Sequence, residues 1–131
     1  MDPPADVANS ESLARFVFRS KDVRADSTLR PDVFIPFPYP DLSVTRHFGL
    51  EDREIWAKGR AIGRERSLPL IGRGDVVAEE FLKRQLTVSP APVSGNQHHA
   101  NVTGWPLSKA AQKNLAQEIS AVARFISAPS L

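Results

Sequence analysis

The chain has 131 residues, 41% of them hydrophobic and 24% charged, with a formal net charge of +2 and no cysteine. Those values fit one folded domain with its own core and lie far from the low hydrophobicity and high charge of disorder. They exclude disulfides, thiolate zinc sites, iron–sulfur clusters and cysteine nucleophiles, so a metal would have to be held by His, Asp or Glu.

Residues 1–11 are polar, proline-bearing and aperiodic, and are expected to form a flexible tail. They lack the basic and apolar regions of a signal peptide, and no later run approaches ~18 apolar residues, so the expected setting is the cytoplasm with no membrane partner. A single domain over 12–126 follows, and 127–131 is expected to be a short C-terminal tail. Leu13 to Arg19 alternates Phe16 and Phe18 against Arg15, Val17 and Arg19, which predicts a strand. Residues 20–31 read as a loop. Asp32 to Pro40 combines apolar residues with three alternating prolines, so an edge strand or extended segment is expected, with Phe34, Ile35 and Phe37 covering the core.

Leu42 to Phe48 alternates again and predicts a second strand. Glu51, Asp52 and Glu54 followed by Lys58, Arg60 and Arg64 match the dipole of a helix over about 50–62, whose buried stripe would be Ile55, Gly59 and Ile62. Residues 64–75 read as a loop; its Gly72-Arg73-Gly74 lacks the third glycine and acidic partner of a dinucleotide fingerprint and is expected to be an irregular turn. Short elements follow: a strand at Val76-Val77, a helix over 78–85 and a strand at 86–88 closed by Pro90 and Pro92. From Ser108, Ala111, Leu115, Ile119, Val122 and Ile126 recur at helical spacing, predicting an amphipathic helix over 108–126 with Gln112 on its polar side. The fold class is therefore α+β: a small mixed or antiparallel sheet of four to five short strands, with both main helices packed on one face.

Twelve arginines outnumber five lysines, and the planar guanidinium suits phosphate and carboxylate. They gather in two zones, Arg15 to Arg30 and Arg60 to Arg73, which could make one patch, although a net charge near neutral is closer to an ordinary solvated surface than to a nucleic-acid footprint. Chemistry concentrates in Asn96 to Pro106, which holds His98, His99, Asn101, Thr103 and Trp105. Adjacent histidines on a strand point to opposite faces, which argues against a two-histidine metal site, and His47 with Asp75 or Asp41 is a weak alternative. No nucleophile-elbow motif supports a Ser-His-Asp triad. A lone histidine needs only a nearby arginine: His99 with Arg46 and Arg19 would suit a phosphodiester or nucleotide. Equally, these residues suit a turn that packs Trp105 and leads into the last helix.

LARFVF, PDVFIPFP with LSVTR, EIWAKGR, GRGDVV and HHANVTGWPLSKAAQKNLAQEIS together resemble a family of small uncharacterised bacterial proteins, across about residues 12–126. HANVTGWP ahead of a C-terminal helix is the most specific part. The resemblance implies a stand-alone bacterial cytoplasmic protein and carries no catalytic assignment. Two functions stand side by side. The first, favoured, is a non-enzymatic interaction module binding a protein or nucleic acid through Arg15, Arg19, Arg46, Arg64 and Arg73, with His98, Asn101 and Trp105. The second is a small enzyme using His99 and Arg46. Neither calls for a cofactor or a metal.

Overall fold

The computed structural model describes residues 3–130. Six strands form one antiparallel sheet: β1 (Ser12–Val17), β2 (Leu42–Arg46), β3 (Gly72–Val77), β4 (Thr87–Pro90), β5 (His99–Thr103) and β6 (Arg124–Ser127). Their order across the sheet is β4-β5-β2-β1-β3-β6. Helices α1 (Asp52–Arg66), α2 (Ala78–Leu82) and α3 (Lys109–Val122) complete an α+β fold. The sheet thus has six strands, one or two more than the alternating segments predict. Among the described residues, no helix is long and apolar enough to cross a membrane.

The helices lie on opposite faces, which corrects the expectation of one shared face. Alternation in β1 sends Leu13 and Val17 one way, into a large core with Phe34, Phe81, Val102, Ala116 and Ile119 from the α2 and α3 side. Ala14 and Phe16 point the other way, onto Ile55 of α1. Gly59 makes that second contact close: a Cβ there would stand 2.7 Å from the Phe16 ring.

Three predicted boundaries shift for identifiable reasons. Gly72-Arg73-Gly74 is not an irregular turn but the start of β3, pairing with Val17, Phe16 and Arg15. Its glycines serve packing: a Cβ on Gly72 would meet the Ile126 carbonyl at 2.5 Å, and one on Gly74 would meet Leu29 at 2.6 Å. Helix α3 begins as expected, with Ser108 Oγ accepting from the Ala111 N–H at 3.2 Å, but stops at Val122 because residues 124–127 pair with β3. Intrinsic helix preference is small beside a sheet ladder and is overridden. Its buried side is Gln112, Ala116, Ile119 and Ser120, while Val122 is exposed. Gln112 tolerates burial because its amide is satisfied, donating to the Pro106 carbonyl at 2.9 Å and accepting from the Phe37 N–H at 3.1 Å.

Asp32 to Pro40 is likewise not a strand. Pro31 opens a 3-10 turn over Pro31–Phe34, as its fixed φ favours, and turns follow to Asp41. Phe34 is fully buried and Ile35 half-buried, but Phe37 faces solvent. The expected N-terminal tail is held down where it is described: Arg46 donates to the Pro4 carbonyl at 2.7 Å and pairs with Glu11. At the other end Ser127 belongs to β6, and the Ala128 N–H donates to the Ile71 carbonyl at 3.0 Å. Residues 1, 2 and 131 of the two expected tails lie outside the described residues.

Candidate functional site

The sheet is not paired evenly along its length. β1 meets β3 over six residue pairs and β2 meets β5 over four, yet β1 and β2 pair only through Leu13↔Arg46 and Ala14↔Thr45. Beyond Ala14 the two central strands part. Arg15 occupies the opening: its Nε–H donates to the Val33 carbonyl and an Nη1–H to the Ser43 carbonyl, both at 2.9 Å. The strand carbonyl that has lost its neighbouring strand is thus satisfied by a guanidinium.

Arg66, the last residue of α1, reaches the same opening, because Ser67 ends the helix in a left-handed conformation (φ 55). Its guanidinium sits 5.4 Å from the centre of the Phe18 ring. Arg15 and Arg66 line both arms of one open groove. One arm, about 380 Å³, also holds Arg19, Asp22, Asp32, Phe37 and Lys109. The other, about 490 Å³, holds Tyr39, Asp41, Ser43 and Asn101. A smaller recess beside them is lined by Thr45, His99 and Arg66.

Arg19 is paired with Asp22 at 3.7 Å, but among the described residues Arg15, Arg66 and Lys109 have no carboxylate within ion-pair distance. Burial, and then the like charge of Arg66, pull the Arg15 guanidinium down to about 10. It is still charged at neutral pH. Two like charges facing one opening, neither in a direct ion pair, favour an anion between them.

The other sequence-derived candidates separate. Arg46 lies across the sheet from His99 and is fully buried, held by Glu11 through Nε–Oε2 at 2.6 Å and Nη2–Oε1 at 2.9 Å. Its role beside His99 as an anion-stabilising group is thus not realised, because an arginine facing the apolar side must find a carboxylate there. Arg73 is buried against the Trp56 ring at 4.6 Å and donates to Asp75 and Asp52. Neither Arg46 nor Arg73 belongs to an exposed basic surface. Arg64 lies in a separate cleft with Pro69 and Pro129. Trp105 is buried, its indole N–H donating to the Val102 carbonyl at 2.9 Å, so it packs the core ahead of α3.

Strand alternation does not govern the two histidines, because His98 lies in the turn before β5, and both line clefts beside α1. His98 is buried and donates from Nε2 to the Phe48 carbonyl at 2.9 Å, leaving Nδ1 without a partner. Burial lowers its pKa, opposed by the Phe48 carbonyl and assisted by Lys58 and Arg46, so the ring is held neutral. His99, the first residue of β5, is half-buried and donates from Nδ1 to the Ala91 carbonyl at 2.8 Å. This leaves Nε2 as its lone-pair nitrogen. His47 does meet Asp75, at 3.1 Å, but among the described residues no third donor joins them as a metal site.

Arg15, Arg19 and Asn101 are therefore the sequence candidates that the groove gathers. Arg66, Lys109, Phe37 and Tyr39 join them without having been singled out. Arg66 stood among the basic residues of the second zone, and only its place at the helix end distinguishes it from Arg64. No family model, curated protein or solved structure matches the chain.

Proposed function

We propose that the chain is an interaction module that binds an anionic partner at the parting of β1 and β2. The observation that carries this reading is the pair Arg15 and Arg66, which share one groove and, among the described residues, have no carboxylate within ion-pair distance. The basic surface is thus narrower than the sequence suggests. Arg15 supplies a fixed charge, positioned by two carbonyls, and Arg66 an exposed one able to close on a phosphate or carboxylate. The test is fluorescence anisotropy of a labelled inorganic polyphosphate against the wild type, Arg66→Ala and Arg64→Ala. Loss of one charge-assisted contact should weaken binding about tenfold in Arg66→Ala, leave Arg64→Ala unchanged, and make affinity fall steeply with salt. Equal loss in both variants would point to a diffuse charge effect and sink the assignment.

A second reading is supported by His99, whose Nε2 is left free to accept a proton and which lines a recess shared with Arg66. Here His99 acts as a general base on a phosphodiester, with Arg66 rather than Arg46 stabilising the developing charge. In that case His99→Ala abolishes hydrolysis of a chromogenic phosphodiester while leaving the circular dichroism spectrum intact. An activity equal in the two proteins, or absent from the wild type, would remove the enzyme reading.

A further inference from the structure

Two aromatic side chains stand at the groove with much of their surface in water, Phe37 at 51% exposure and Tyr39 at 72%. Their backbone is anchored. The Phe37 N–H donates to the buried Gln112 Oε1 at 3.1 Å, and the Tyr39 N–H donates to the carbonyl of buried Pro36 at 2.9 Å. With the backbone fixed at both positions, the two rings stand at the groove where a partner can cover them. Phe37 lines one arm of the groove and Tyr39 the other, with Arg15 and Arg66 common to both. Lys109 adds a cation 5.7 Å from the centre of the Phe37 ring.

Exposed aromatic rings beside cations that have no carboxylate within ion-pair distance match one class of anion closely. A single strand of nucleic acid offers an unstacked base on either side of each phosphate, whereas in a duplex the base faces are already occupied by one another. An acidic peptide would use the cations but has no systematic need for two ring faces. The carboxylates in the arms, Asp32 and Asp41, repel phosphate there and leave the Arg15–Arg66 junction as the favoured phosphate position. We infer that the anionic partner is a single-stranded nucleic acid, with neighbouring bases stacked on Phe37 and Tyr39 and the phosphate between them held by Arg15 and Arg66. This inference rests on the reading of the groove as an anion site.

The experiment compares a labelled oligothymidylate of about 12 nucleotides, within the usual footprint of such surfaces, a duplex of equal length, and labelled polyphosphate. Wild-type protein is expected to prefer the single strand to the duplex. A Phe37→Ala/Tyr39→Ala double variant, altered only at exposed side chains, should bind the oligonucleotide at least about tenfold more weakly and bind polyphosphate as before. Undiminished oligonucleotide binding by the double variant would overturn the stacking role, and preference for the duplex would overturn the choice of partner. Binding of polyphosphate but not of the oligonucleotide would also overturn the inference while leaving the anion site intact. Binding of neither by the wild type would overturn both.

Discussion

Arg15, Arg46 and Arg66 show how little a residue type says before its surroundings are known. Arg46 is buried with a carboxylate partner, Arg15 is half-buried against two carbonyls, and Arg66 lies open. A buried ion pair that loses one member leaves an uncompensated charge in the core, so Arg46→Ala should lower the unfolding free energy by about 3–5 kcal/mol. Urea denaturation measures this, and a midpoint equal to that of wild type would mean that Glu11 finds water or another partner. Binding of anions at the groove should survive the substitution under conditions where the variant is folded. At this scale the sequence was a partial guide. It marked Arg15, Arg19 and Asn101 as candidates, but strand alternation did not apply to His98, which lies in the turn before β5. Nor could it show which arginines would meet carboxylates, since Glu11 lies 35 positions from Arg46.

Among the elements, those legible in the sequence are the ones that alternate residue types or carry end signals, even where, as in β1, both faces are buried. β1 and β2 alternate, α1 carries charge matched to its dipole, and α3 has its serine cap. β3 was hidden because close packing at Gly72 and Gly74 leaves no room for the side chains that would have signalled a strand. Gly72→Ala tests that account. The added methyl meets the Ile126 backbone carbonyl, which cannot rotate away, so the overpacking should cost about 1–3 kcal/mol. A thermal midpoint within error of wild type would show that β6 shifts freely against β3. β6 itself was concealed for another reason: Phe125 and Ile126 continue the apolar rhythm of α3, and only the open edge of β3 draws them out of the helix.

For the molecule as a whole, the run of predicted strands and helices was enough to expect an α+β fold, but not the sixth strand or the placement of helices on opposite faces. That placement follows from the crossovers. α1 links β2 to β3 across β1, and α3 carries the chain from β5 to β6 across the width of the sheet, so each helix takes a face of its own. The same strand order governs how the protein reaches its native state. Only β4 and β5 pair as near neighbours in the chain; the ladders β1–β3, β2–β5 and β3–β6 each join segments roughly fifty residues apart or more. The entropy of closing those loops must be met before the ladders return any stability, so the chain is expected to fold slowly for its size, which stopped-flow refolding measures.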